Sequence, residues 1–175
     1  MIYASKLALD VPGAFMECGV FRGFKSYFLL KYFGEELANR KYFLLDTFEG
    51  IDLNLSDGSP ISKNEHAKSR LYEFIKYRFK DFSNVESVKG SVPYALADLE
   101  LDKIAFLHLD MNSYEAEIGA LNTLWDLIPK HGVIVLDDFG LFSHKAQQIN
   151  ELPWLLRKDQ HVLEFPTGQG IVIKR

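Results

Sequence analysis

Cysteine is nearly absent from this chain: among 175 residues only Cys18 carries a thiol. An intramolecular disulfide is thereby excluded, and a reducing compartment is expected. Positive charge is not in excess. Lys and Arg number 20 against 24 Asp and Glu, a formal net charge of −4, which argues against a nucleic-acid partner held by bulk electrostatics. No apolar run approaches the roughly 20 residues that a membrane helix needs. Residues 1–10 have neither the apolar core nor the cleavage-like site of a signal peptide. The expectation is a cytoplasmic protein without a membrane or nucleic-acid partner. Repeats and low-complexity tracts are also missing. What is there is a hydrophobic content of 47%, enough at this length for one well-packed domain over residues 1–175.

Short apolar runs alternate with longer amphipathic stretches, the pattern of an α/β protein. Strands are expected at 14–18, 42–46, 84–89, 104–110 and 133–137. Helices are expected at 25–33, 62–80, 114–127 and 143–152, the last two closed by Pro129 and Pro153. In the second of these, Leu71, Phe74, Ile75, Arg78 and Phe79 recur at helical spacing. Residues 161–165 and 170–174 read as a hairpin around a turn-rich loop. The fold predicted is a Rossmann-like, doubly wound, mostly parallel sheet with a C-terminal antiparallel hairpin. Residues 50–63 are long for a connection, and they follow the second strand. That puts them at the carboxyl end of the sheet, where ligands bind in this architecture.

The first strand runs into Glu17-Cys18-Gly19-Val20-Phe21-Arg22-Gly23, which opens a helix. Glycines there permit a tight turn and close approach of a ligand, and the helix start favours a negative group. A dinucleotide fingerprint would need a glycine where Phe21 stands, and Glu17 would repel a pyrophosphate. S-adenosylmethionine suits the turn better: its ammonium matches an acidic strand end and its carboxylate a helix start. A plain strand-to-helix turn is the alternative. Asp46, ending the second strand, is placed to accept from ribose hydroxyls, or else to cap a turn.

Asp110 ends the fourth strand, and Asp137 and Asp138 end the fifth. In a doubly wound sheet these ends are neighbours, and three gathered carboxylates are costly without compensation. A hard cation such as Mg²⁺ or Ca²⁺ accepts an oxygen donor set of this kind. No His or Cys cluster suggests zinc. The competing reading is that some of these aspartates cap the helices that follow.

Four motifs in order, Glu17 to Gly23, Asp46-Thr47-Phe48-Glu49-Gly50, Leu107-His108-Leu109-Asp110 through Tyr114, and Gly132 to Gly140, resemble the macrocin O-methyltransferase family. The resemblance runs from about residue 14 to the C-terminus. It implies a class I fold, S-adenosylmethionine and Mg²⁺ as cofactors, methylation of a hydroxyl on a sugar-containing small molecule, and a homodimer. It implies that Glu17, Cys18, Gly19, Val20, Phe21, Arg22 and Gly23, with Ser26 beyond them, line the methionine part of the cofactor. Asp46 would take the ribose, Gly90 and Ser91 the adenine, and Asp110, Asp137 and Asp138 the metal. The sequence departs from the family where D-x-D-x-Y-x-S is common. Here Asn112 replaces a carboxylate and Ala116 a hydroxyl. It also lacks most of the N-terminal region that covers the substrate in longer relatives.

On this reading Asp110 is the candidate general base for an acceptor hydroxyl, with His144 second. His108, within an apolar strand, is expected to be a satisfied core residue. Phe48, Phe139 and Phe142 could line an acceptor pocket, though core packing explains most aromatics. Two other functions stay open. One is a nucleotide-dependent oxidoreductase or nucleotide-sugar enzyme on the same fold. The other is a non-catalytic cofactor-binding protein, which Asn112 and Ala116 keep in play.

Overall fold

A computed structural model describes residues 1–55 and 70–175. In chain order the elements are α1 (Ile2–Ala8), β1 (Ala14–Cys18), α2 (Phe24–Phe33), α3 (Glu35–Ala38), β2 (Tyr42–Asp46), α4 (Leu71–Arg78), β3 (Val85–Lys89), β4 (Ile104–Leu109), α5 (Tyr114–Leu124), β5 (Val133–Leu136), α6 (Lys145–Arg157), β6 (Leu163–Glu164) and β7 (Gly170–Ile173). The expected helix over 62–80 appears as α4 from Leu71; its residues 62–69, and residues 56–63 of the long connection, lie outside the described residues.

Among the described residues, seven strands form one sheet in the order β3-β2-β1-β4-β5-β7-β6. Pairing is parallel from β3 to β5 and antiparallel for β7 against both β5 and β6. This is the doubly wound sheet with a C-terminal hairpin read from the sequence. Its carboxyl edge switches direction between β1 and β4, the crevice where such sheets bind ligands.

Side-chain alternation sorts the strands onto two cores. Phe15, Tyr42, Leu44, Phe106, Val133 and Val135 pack with α1, α2, α3 and α4 on one face. Met16, Cys18, Phe43, Leu45, Leu107, Leu109, Ile134 and Leu136 pack with α5 and α6 on the other. Each large apolar side chain buried this way contributes roughly 1.5–3 kcal/mol. The same parity fixes a polar row. Glu17 follows Phe15 onto the α2 face, and His108 follows Phe106. The register pairs Glu17 with His108 directly across β1 and β4.

Three elements differ from the expectation, the first being α3, one turn after Gly34 that the sequence pattern does not mark. The N-terminal residues form α1, whose Ala4 and Ala8 are fully buried against the sheet; seven residues are too few for a clear amphipathic period. The last helix does not stop at Pro153 but runs through it to Arg157. A proline inside a helix costs about 3 kcal/mol. Trp154 and Leu155, both buried, offset it: Trp154 packs edge-on against Trp125 and its indole N–H donates to Asn122 at 2.8 Å.

Candidate active site

The turn after β1 is shaped by contact with the end of β4. Gly19 has φ +89°, and a Cβ there would stand 2.0 Å from the Asp110 carbonyl oxygen. Only glycine fits. The turn is then pinned from β2. The Val20 and Phe21 amides donate to Asp46 Oδ2 at 2.8 and 2.7 Å, and the Phe48 amide donates to Oδ1 at 2.7 Å. The Thr47 hydroxyl adds a fourth donor, to Oδ1 at 3.3 Å, so the roughly four acceptor positions of a carboxylate are all engaged. Asp46 therefore organises the turn, and a ribose hydroxyl would displace the long Thr47 contact.

Above this turn lies a cleft whose walls include Gly19, Asp46, Gly90, Ser91, Asp110 and Asn112. Thus four of the residues expected at the cofactor, Gly19, Asp46, Gly90 and Ser91, share one cavity with the expected base. The other expected cofactor residues lie around or beneath it. Arg22 is exposed on the turn, its guanidinium 5.4 Å from the Phe21 ring centre. Cys18, Val20 and Gly23 are buried, and burial pushes the Cys18 thiol above its ordinary range. Asn112 has φ +55°, a left-handed backbone that asparagine tolerates better than most residues. Ser113 beside it caps α5, accepting from the Ala116 amide at 3.3 Å.

Beneath the cleft runs a chain of buried polar groups. Glu17 accepts from the Ser26 hydroxyl, which also meets Tyr42 Oη at 2.9 Å. The other Glu17 oxygen lies 3.1 Å from His108 Nδ1, and His108 Nε2 lies 3.5 Å from Asp137 Oδ1. Burial works against a charged His108, but the hydrogen bonds to Asp137 and Glu17 outweigh it and raise the imidazole to about 9. His108 is thus a satisfied interior residue, and it is also the link between Glu17 and the acidic cluster.

Asp110, Asp137 and Asp138 each bring a carboxylate oxygen within 4.8 Å of the others. The register explains it: β4 and β5 are paired, and the Asp137 amide donates to the Leu109 carbonyl at 3.0 Å. Between two of these acids stands a cation of the chain itself. Lys25 Nζ donates to Asp110 Oδ2 at 2.6 Å and to Asp137 Oδ2 at 2.7 Å. Burial disfavours the ammonium, yet the two carboxylates overrule it and hold Lys25 above the ordinary lysine range. Asp137 falls below the usual carboxylate range, because His108 and Lys25 together outweigh its desolvation. Asp110, more strongly desolvated, is raised to about 7 despite His108 and Lys25. Burial also raises Asp138, whose Oδ2 is 3.6 Å from His144 Nε2. As arranged, the three aspartates do not fit a divalent ion: such an ion would meet an ammonium already bonded to two of its three ligands.

Sequence reasoning passed over Lys25, although a signal existed. It is the second residue of α2, and a cation in the first turn of a helix opposes the helix dipole. A lysine there asks for a carboxylate partner. Glu117 and Glu151 were missed as well. Both are buried between α5 and α6, and Glu117 accepts from the Met111 amide and from Gln147, each at 2.9 Å. Burial raises both carboxyls, and their mutual proximity raises Glu117 further. Asp52, hydrogen-bonded to Ser91 on the cleft wall, is held below its usual range by that contact.

Comparison with known proteins gives the family and the fold of the chain. The model of the macrocin-O-methyltransferase (TylF) family matches residues 3–163. A curated relative from Streptomyces olivaceus, 8-demethyl-8-(2,3-dimethoxy-alpha-L-rhamnosyl)-tetracenomycin-C 4'-O-methyltransferase, is 26% identical over 153 residues, covering 77% of this chain. The chain spans 56% of that relative's length. Among solved structures, the calicheamicin methyltransferase CalS11 superposes with a TM-score of 0.79 at 19% identity, covering 98% of this chain and 76% of that one. The O-methyltransferase NovP superposes with a TM-score of 0.73 at 17% identity, covering 98% and 79%.

Proposed function

From a chain that belongs to the macrocin-O-methyltransferase family, we infer an S-adenosylmethionine-dependent O-methyltransferase acting on a hydroxyl of a sugar-containing small molecule. The observation that carries this reading is the cleft in which Gly19, Asp46, Gly90 and Ser91 meet Asp110. It joins a place for a nucleoside to a group able to take a proton.

Methyl transfer is an in-line displacement. An acceptor oxygen bonds to the methyl carbon, the carbon–sulfur bond breaks, and its electron pair neutralises the sulfonium to give S-adenosylhomocysteine. The hydroxyl proton must leave. In this reading it goes to Asp110, whose carboxyl, raised to about 7, is basic enough to accept near neutrality. Lys25 holds that carboxylate in place. The Gly19 turn, pinned by Asp46, sets where the methionine end lies. Glu17 and Ser26 support the turn from below. The oxygen donor set of Asp110, Asp137 and Asp138 favours Mg²⁺, while the lysine bonded to two of them opposes it, so no step is drawn through a metal.

The test is calorimetry with S-adenosylhomocysteine, then methyl transfer from labelled S-adenosylmethionine to a panel of glycosides. Binding of S-adenosylhomocysteine and label in a glycoside are expected. Absence of S-adenosylhomocysteine binding would overturn the reading.

A further inference from the structure

We propose that Lys25 is the built-in cation of this site, standing where the three aspartates would otherwise hold a divalent ion, and that the chain works without one. The proposal deepens the functional reading above and rests on it.

Four observations converge on the lysine. Its Nζ bonds two of the three acids at 2.6 and 2.7 Å, with 32% of its side chain exposed against 21% for Asp110 and 13% for Asp137. Partly shielded pairs of this kind lose less to solvent screening than surface pairs. Its tether is rigid, because the neighbouring Ser26 is buried and bonded to Glu17 and Tyr42. Its position in the first turn of α2 is unfavourable to a cation on its own, so the carboxylates are what keep it there. Finally, two of the three candidate ligands already have a basic partner from the chain: Asp110 has Lys25, and Asp137 has Lys25 and His108. The repulsion that would call for a metal is answered by side chains. Lys25 is a positioning residue. It fixes the Asp110 carboxylate on the cleft wall.

The experiment titrates Mn²⁺ into wild-type protein and into Lys25→Ala, followed by electron paramagnetic resonance of free Mn²⁺, with and without S-adenosylhomocysteine. Wild type is expected to take up no stoichiometric Mn²⁺ in either state. Lys25→Ala, with its acids uncovered, is expected to bind Mn²⁺ roughly tenfold or more tighter, the scale of one removed charge partly screened by solvent. Lys25→Met, which keeps the aliphatic stem, serves if the alanine variant does not fold. In wild type a lysine-edited ¹⁵N spectrum should show a protected Lys25 ammonium that millimolar Mg²⁺ leaves unmoved. One equivalent of Mn²⁺ bound to wild type would overturn the proposal, and so would a folded Lys25 variant that binds no better than wild type. Failure to bind S-adenosylhomocysteine would instead strike the functional reading, while the Mn²⁺ result still judges the lysine.

Discussion

The two halves of the sheet's carboxyl edge hold their carboxylates by different means. On the β1–β2 side Asp46 is held by backbone: three amides of the neighbouring turns point at it. On the β4–β5 side Asp110 and Asp137 are held by side chains, Lys25 and His108. Backbone donors are fixed by the fold and survive most substitutions around them. Side-chain cations can be removed one at a time, and each removal leaves a desolvated charge behind. The first half is therefore suited to binding a constant part of a ligand, and the second to tuning reactivity.

The comparison is broken most completely by Gly19→Ala, because Gly19 belongs to both halves. The added Cβ would collide with the Asp110 carbonyl at 2.0 Å and separate the two strand ends. A loss above about 4 kcal/mol is expected in urea denaturation, together with loss of S-adenosylhomocysteine binding. Next is His108→Leu, which strips the interior link between Glu17 and Asp137; Asp137 keeps Lys25, but Glu17 is left buried with only the Ser26 hydroxyl. About 3–5 kcal/mol of destabilisation is expected, and calorimetry on the folded fraction should still detect S-adenosylhomocysteine. Asp46→Ala should do the reverse. It leaves the Val20, Phe21 and Phe48 amides without their acceptor, costing about 1–3 kcal/mol, and should weaken S-adenosylhomocysteine far more than Asp137→Asn does.

A pH series sharpens the contrast further. His108 is raised from 6.5 to about 9 in the folded chain. Its contribution to stability is complete below 6.5 and is lost as the pH climbs through 9. Asp110, raised from 3.8 to about 7, loses its own share mostly below 7, so of these two groups it is the histidine that lowers the urea midpoint between 7 and 9. That slope should flatten in His108→Leu and persist in Asp46→Ala. The smallest effect belongs to Glu49→Gln. Its pair with Lys89 is exposed on both sides, and a change within about 0.5 kcal/mol is expected.

Four of the five parallel strands were legible because each is a short apolar run ending at a polar turn; β4, buried throughout, is the clearest, while β3 at the sheet edge is half polar. The gathering of Asp110, Asp137 and Asp138 was legible too, since strand adjacency follows from the fold class. What the sequence hid is pairing at a distance. Nothing near Lys25 announces that acids 85 and 112 residues away will meet it. Glu117 and Glu151 look like ordinary solvent-facing helix acids until α5 and α6 are packed together. Pro153 reads as a stop because its local cost is visible and the burial of Trp154 is not.

The central place of β4 has a consequence for how the chain is made. Glu17 meets its partner on β4 only across 91 residues, whereas β2 follows β1 after α2 and the short α3. As the chain leaves the ribosome, β1 can pair with β2 early, but its other edge stays bare until β4 is synthesised. The strand carries Phe15 and Met16, which leave on opposite faces and are both fully buried at the end. An unpaired apolar edge is an invitation to the wrong neighbour. Fragments ending before Ile104 should therefore aggregate, and the nascent chain should engage chaperones until the middle of the sheet is filled.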